Sequence, residues 1–186
     1  YSYFMEFARL RDGRYLWAQM VKAFGATNPQ NMKMIVHSET GMFNKTVYDP
    51  YVNLLRTQTE AMSAALGGAH SITVLPFDGL FRNPSDFSER IARNQQILLK
   101  EESYIDKVTD AAGGSYYIEN LTAAIIDQAW KLFLETESKG GFLAALREGF
   151  IQKHIRETAA RRDQNIALRR ENLLGTNQYP NFSETI

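Results

Sequence analysis

Cysteine is absent from the 186 residues of this chain, which excludes disulfides, thiolate nucleophiles and cysteine metal sites. An excess of charge is also lacking, because 21 lysines and arginines balance 21 aspartates and glutamates. No overall field would therefore attract nucleic acid or an anionic membrane, and neither is expected as a partner. No apolar run approaches the roughly 20 residues of a membrane-spanning helix. We therefore expect a cytoplasmic location.

The residues that are present are those of a globular protein. Hydrophobic residues make up 44% of the chain, charged residues 23% and aromatic residues 12%. The three histidines have no spacing typical of a zinc site, so no bound metal is expected. The first residues include no helix cap and follow no strand, and we expect that an N-terminal portion is missing.

Helical periodicity is present in several segments of the chain. The segment from Asp49 to Gly68 is the best delimited, because Asp49 can cap a helix, Pro50 fits its first turn, and the paired glycines can end it. Asp86 and Glu89 resemble a capping box. Further helices are predicted over residues 1–24, 121–134 and 141–174.

Short apolar runs between these helices predict strands. Met34–Val36 forms one such run, which ends at His37, and Ile72–Leu75 forms another before Pro76. Ile105 and Val108 form a third apolar patch. Strands that alternate with helices favour parallel β/α units. The predicted fold class is α/β: the C-terminal half of a (β/α)8 TIM barrel over residues 1–138, followed by a helical extension and linker over residues 139–186. A small doubly wound sheet is the alternative.

Active sites of such barrels lie at the C-terminal ends of the strands. This rule selects Asp78 and a polar run, His37, Ser38, Glu39 and Thr40, as candidates for ligand contact. An alternative interpretation is that His37 caps a strand and that its polar neighbours belong to a solvated loop. His70 and His154 are not expected to be ligands. The basic residues between Arg161 and Arg170 alternate with acidic ones, which favours a solvated helix face or a subunit contact.

Four segments resemble the methylmalonyl-CoA mutase family in order and in approximate spacing. They are FMEFARLRDGRYLW (4–17), DPYVNLLRTQTEAMSAALGG (49–68), ERIARNQQILLKEES (89–103) and DAAGGSYYIENLT (110–122). The resemblance implies a barrel that threads coenzyme A along its axis, a helical linker and, in catalytic chains, a separate cobalamin-binding domain. It also implies interconversion of methylmalonyl-CoA and succinyl-CoA, with adenosylcobalamin as the source of the radical.

The chain departs from the family pattern where catalytic members bind their ligands. Those members show Arg-x-His-x-Gln-Thr-Ser-Gly at one strand end, and here only His37 and Thr40 match. Ile35 replaces a cation suited to coenzyme A, and Glu39 replaces a neutral amide. At the next strand end, His70, Leu75 and Gly79 stand where polar side chains are typical. The resemblance therefore implies no catalytic residue, and a vestigial coenzyme A or substrate face at His37 and Thr40.

These departures favour the small, non-catalytic subunit of a heterodimeric mutase. Its partner would be the catalytic large subunit, which would bind the adenosylcobalamin of the holoenzyme, and no cofactor is expected on this chain. Self-association is expected from open sheet edges. One alternative is a catalytic acyl-CoA mutase of the same superfamily with an altered substrate. The other is a scaffold unrelated to cobalamin chemistry.

Overall fold

The computed structural model describes residues 2–184, which are mostly helical with one small parallel sheet. Six α-helices and two strands occur in this part of the chain, together with 3₁₀ turns at Pro29–Met32 and Ile105–Lys107. The helices and strands, in chain order, are α1 (Tyr3–Ala23), β1 (His37–Glu39), α2 (Val52–Leu66), β2 (Ser71–Thr73), α3 (Asp86–Glu101), α4 (Tyr116–Ser138), α5 (Phe142–Arg147) and α6 (Phe150–Ala167).

The two strands pair in parallel, as the alternation of strands and helices predicts. His37 lies opposite Ser71 and Glu39 lies opposite Thr73. Helix α2 forms the crossover between the strands, and α3 follows β2, so two strand–helix units stand in succession. The predicted third unit is wrong, because Ile105–Lys107 forms a 3₁₀ turn. Ile105 packs instead against the apolar cluster beside the sheet.

Strand β1 begins where the predicted strand ends. The apolar run Met34–Val36 lies outside the ladder, which is formed by the polar residues His37–Glu39. Val36 is buried, whereas Ile35 is 83% exposed. Strand β2 likewise covers Ser71–Thr73 rather than residues 72–75. Pairing with a neighbouring strand, and not hydrophobicity, sets these limits.

Helix α2 confirms the predicted helix but corrects its start. The helix begins at Val52, and Asp49 lies in a preceding turn with a φ of 46°. Its carbonyl accepts a hydrogen bond from the Val52 amide at 3.0 Å. The side chains that α2 buries are small or polar: Asn53, Thr57, Ala61, Ser63 and Ala64. The larger side chains of Tyr51 and Leu55 are more than half exposed, because the neighbouring elements cover another side of the helix.

The end of α2 packs closely against α1. A Cβ atom on Gly67 would lie 2.9 Å from Leu10 Cδ1 and 3.0 Å from the Ser63 carbonyl oxygen, so a larger residue here would force neighbouring atoms to shift. Gly68 then takes a φ of 77°, which glycine adopts without strain. Arg14 of α1 donates hydrogen bonds to the carbonyls of Gly67 and Gly68. A guanidinium here satisfies orphan carbonyls and opposes the negative end of the helix dipole.

The N-cap of helix α3 lies one residue before the predicted cap. Ser85 is the N-cap, and its hydroxyl accepts a hydrogen bond from the Ser88 amide while the Ser88 hydroxyl accepts one from the Ser85 amide. The box predicted from Asp86 and Glu89 is therefore wrong in register. Both acidic residues lie in the first turn instead, where their charges favour the helix dipole.

The chain divides into two compact units, Tyr1–Asp127 and Gln128–Ile186. The division falls inside α4, whose last residue, Ser138, is also the last residue of the predicted barrel segment. In the second unit, Trp130 stacks on Phe133 with ring centroids 5.2 Å apart. Arg162 donates a hydrogen bond to Glu171 at 2.9 Å, so part of the basic run is neutralised within the unit. No helix among residues 2–184 has the length and apolarity needed to cross a membrane.

Candidate functional site

The two faces of the small sheet differ in character. Alternate side chains of a strand point to opposite faces. His37, Glu39 and Ser71 are exposed and Thr73 is half-buried. These four side chains are called the polar face below. The opposite face carries Val36, Ile72 and Val74, which pack against the apolar clusters formed with the helices.

His37 is oriented on the polar face by two hydroxyl groups of β2. Its Nδ1 lies 2.7 Å from Ser71 Oγ, and its Nε2 lies 3.3 Å from Thr73 Oγ1. A hydroxyl can donate or accept, so either tautomer of the imidazole can be satisfied. In the described part of the chain both ring nitrogens thus lie at hydrogen-bonding distance from hydroxyl groups of β2, which fix the orientation of the imidazole.

Thr40 occupies a different environment from His37. Its side chain is buried, and its hydroxyl accepts a hydrogen bond from the Leu75 amide at 2.9 Å. Its own amide donates to the Thr73 carbonyl at 3.1 Å. Thr40 thereby extends the link between the two strands beyond the ladder. The structure does not bring its hydroxyl together with the His37 ring, and its contact with coenzyme A stays a prediction.

Glu39 and Thr40 also border a cavity of about 460 Å³. The cavity lies between the N-terminal part of α1, the end of β1 and the middle of α2. Its walls combine apolar side chains with Arg9 and the carboxylates of Glu6, Glu39 and Glu60. Glu6 pairs with Arg9, and Glu60 pairs with Lys45. A volume of this size is in the range of small-molecule sites.

His70 stabilises the beginning of the sheet. Its Nδ1 accepts a hydrogen bond from the Val36 amide at 3.1 Å, and its backbone amide donates to the Val36 carbonyl at 2.8 Å. A single residue thus satisfies both backbone groups of Val36 just before β1. That His70 is not a ligand stays a prediction.

Asp78 follows β2 and is fully buried. Its Oδ2 accepts a hydrogen bond from Arg82 Nε at 2.9 Å. Burial favours the neutral acid, but Ser88 and Arg82 favour the carboxylate more strongly and lower the pKa of Asp78 below its ordinary value. The carboxylate is held through Oδ2 by a residue of its own loop, and its contact with a ligand stays a prediction.

Several buried polar residues behind the sheet escaped the sequence analysis. Asn53 and Thr57 on α2, Gln95 on α3 and Lys45 are all buried, and each is hydrogen-bonded. Hydrophobic periodicity cannot find such residues, because they interrupt the apolar pattern. The one available signal is that Asn53 and Thr57 lie inside the segment DPYVNLLRTQTE, which the family resemblance singles out.

The polar face as a whole lacks positive charge. Its only ionisable groups are the His37 imidazole and the Glu39 carboxylate, and the neighbouring Ile35 side chain is apolar. Coenzyme A carries several phosphate charges, which proteins bind with arginine, lysine or helix N-termini. The described residues also contain no group of three or more histidine, aspartate or glutamate side chains that could hold a metal ion.

Comparison with known proteins gives a consistent result over nearly the whole chain. The family model described as methylmalonyl-CoA mutase matches residues 1–186. The methylmalonyl-CoA mutase small subunit of Porphyromonas gingivalis is 55% identical over 98% of this chain and 30% of its own length. The large subunit of the same organism is 42% identical over 96% of this chain and 25% of its own length.

Relatives from other bacteria agree. The methylmalonyl-CoA mutase of Escherichia coli is 40% identical over 95% of this chain and 25% of its own length. This chain therefore spans less than a third of the length of the relatives it matches. The extent of the family match and the level of identity show that the chain belongs to the methylmalonyl-CoA mutase family.

Proposed function

We propose that this chain is part of a non-catalytic small subunit of an adenosylcobalamin-dependent methylmalonyl-CoA mutase. The observation that carries the proposal is the difference between two relatives from one organism: 55% identity to the small subunit against 42% to the large subunit. The polar face and the neighbouring Ile35 support it, since Ile35 and Glu39 stand where the family pattern has a cation and a neutral amide.

The proposed architecture is half of a (β/α)8 barrel over residues 1–138 and a helical extension and linker over residues 139–186. Two consecutive parallel strand–helix units support the barrel, because this is the repeating unit of that fold. The polar face would then line the inside of the barrel, with His37 as a remnant of the coenzyme A or substrate surface. Thr40 would support this surface from behind, through its bond to Leu75.

The proposed partner is a catalytic large subunit, which would bind adenosylcobalamin and carry out the isomerisation. The small subunit would stabilise it, a role that requires an intact core but no catalytic strand ends. A cytoplasmic location is part of the same proposal. In the absence of a partner we expect the chain to self-associate, because β1 and β2 each have one unpaired edge within residues 2–184.

Activity of the separated and combined subunits tests this function. The full-length protein that contains this chain should neither convert methylmalonyl-CoA nor change the absorption spectrum of adenosylcobalamin. Together with the large subunit it should co-purify as an active complex. Turnover or cofactor binding by the small subunit alone would overturn the proposal in favour of the alternative, a catalytic acyl-CoA mutase with an altered substrate.

A gain-of-function variant tests the polar face directly. Ile35→Arg combined with Glu39→Gln supplies the cation and the neutral amide that the family pattern calls for, and should strengthen binding of coenzyme A. The matched control is Leu55→Arg combined with Glu39→Gln, which makes the same change of net charge but places the arginine at an exposed position of α2. Calorimetric titration should show tighter binding for the variant with arginine at position 35 only. Equal binding by both variants would mean that the face has no residual coenzyme A geometry.

A further inference from the structure

Two loops follow the strands and lie next to each other. The first loop, residues 40–51, follows β1, and the second loop, residues 74–85, follows β2. They are joined at the end nearest the sheet by Thr40, whose amide donates to the Thr73 carbonyl and whose hydroxyl accepts from the Leu75 amide. Farther from the sheet, the rings of Tyr51 and Phe77 lie with centroids 5.3 Å apart, and one side chain of α2 binds the backbone of both loops.

That side chain is Asn53, in the first turn of α2, which is fully buried. Its Nδ2 donates to the Thr46 carbonyl at 2.8 Å and to the Phe77 carbonyl at 3.2 Å. Its Oδ1 accepts a hydrogen bond from the Thr46 amide at 3.1 Å. One carboxamide group therefore binds the backbone of the first loop twice and the backbone of the second loop once.

The hydrogen-bonding capacity of Asn53 is filled by these contacts and one more. Arg56 Nη1 donates to Asn53 Oδ1 at 2.7 Å and to Thr46 Oγ1 at 2.9 Å. A primary amide has two N–H donors and two acceptor positions, and all four are used. Aspartate has no donor for the two loop carbonyls, and leucine has neither donor nor acceptor. The position thus requires an amide of this length.

We propose that Asn53 is a positioning residue that couples the two loops into one cooperative unit, so that neither loop opens without the other. If the first loop alone left Asn53, the carboxamide would remain buried with unsatisfied groups, which carries a free-energy penalty. That penalty disappears only when the second loop opens as well. Any contact made at the end of one strand would accordingly stabilise the loop at the end of the other. The coupling goes beyond the proposed mutase role and does not depend on it.

Hydrogen exchange of the unaltered protein gives the first test. Peptides that cover residues 42–48 and 76–82 are followed by mass spectrometry in the full-length protein, at increasing denaturant below the unfolding transition. Both segments should show one opening free energy and one dependence on denaturant, as a single cooperative unit does. Two different opening free energies, or two different slopes, would overturn the coupling.

A pair of variants gives the second test. Asn53→Leu should accelerate exchange of both segments by the same factor, about tenfold or more, while α1 keeps its protection. The control is Thr57→Val, one turn farther along α2: Thr57 is equally buried, but its side chain bonds to Gln95 of α3 rather than to the loops. The control should leave the ratio of loop to α1 exchange unchanged. Acceleration of one loop only, of all segments uniformly, or of none would refute the assignment.

Discussion

The two faces of the small sheet differ in what they contribute: one packs against the helices, and the other carries exposed polar side chains. The covered face, with Val36, Ile72 and Val74, is fixed by burial against α1, α2 and α3. The polar face carries His37 and Glu39 and contributes little to packing. The side chains of the polar face can therefore vary with little effect on packing, while the covered face maintains the fold. The predictions below test how far the two faces are separable.

The largest expected effect is the loss of an apolar side chain behind the covered face. Leu99→Ala should destabilise the protein by about 2–5 kcal/mol, because Leu99 is 6% exposed and its removal leaves a cavity beside Val74. The neighbouring variant Leu98→Ala is the control, since Leu98 is 42% exposed and should lose much less. Denaturant unfolding measures the free energy lost by each variant, and the dependence of that free energy on denaturant concentration should stay unchanged. Equal losses for the two variants would contradict the assignment of the covered core.

The next largest effect is expected at the ion pair between Lys45 of the first loop and Glu60 of α2. Lys45 Nζ lies 2.6 Å from Glu60 Oε1, and the lysine side chain is only 3% exposed. Lys45→Met alone should cost about 2–3 kcal/mol, because it leaves the Glu60 carboxylate without its cation, whereas adding Glu60→Leu should restore most of the loss. Thermal or denaturant unfolding of the two single variants and the double variant forms a complete cycle. A double variant as unstable as the sum of the singles would show that the pair is not coupled.

The pH dependence of that pair has a definite sign. Burial lowers the pKa of Lys45 below its ordinary value of 10.5, against the opposing effect of Glu60. The unfolded chain therefore binds more protons than the folded protein at pH values just below 10.5, and this lysine makes stability rise with pH in that window. Lys45→Met should remove the rise, which unfolding measured between neutral and alkaline pH will reveal.

A smaller effect on stability, in the acidic rather than the alkaline pH range, is expected at Asp78. Its pKa in the folded protein is lower than the ordinary value of 3.8, so its stabilising contribution is complete above that pH and is lost as the pH falls through the folded pKa. Asp78→Asn should cost about 2 kcal/mol at neutral pH through the loss of a charge-assisted bond, and should flatten the acid limb of the stability curve. An acid limb identical to that of the unaltered protein would assign the effect to other carboxylates.

The smallest expected effect on stability is that of a substitution on the polar face. It tests most directly whether the two faces of the sheet are separable. His37→Ala should change stability by less than about 0.5 kcal/mol, as is usual for exposed positions. Thr40→Val, three residues farther along, should cost about 1–2 kcal/mol, because it leaves the Leu75 amide without its acceptor. A loss at His37 as large as the loss at Thr40 would mean that the polar face also maintains the fold.

The sequence predicted the elements of this fold better than their limits. Helix α1, helix α2 with its end at Gly67 and Gly68, and the parallel relation of two strands were all predictable from periodicity, glycine and alternation. The capping residues of α3 and the third strand at Ile105 were predicted wrongly. The observed N-cap of α3 differs from the predicted one by a single residue, which local sequence does not resolve. An apolar patch becomes a strand only if a neighbouring strand is available to pair with it.

The candidate site was also only partly predictable, because local sequence shows which residues are polar but not how they are arranged in space. A polar run after an apolar run identified His37, but the run could not show which of its members share a face. Two residues of the run, His37 and Thr40, lie on opposite sides of the backbone, because the strand alternates and Thr40 bonds to the next strand. The burial of Asn53 was not predictable, since sequence patterns assign a polar residue of a helix to the exposed side. Only the positions of the two loops show that its carboxamide is covered.

The sequence by itself determined the family, the helices and the absence of cysteine chemistry, because local residue patterns and segment resemblance carry that information. Only the tertiary structure decided which polar groups are buried, which face of the sheet is exposed, and how Asn53 joins two loops that are separated by α2 in the chain. Such contacts depend on distances between residues remote in sequence, and no local pattern specifies them.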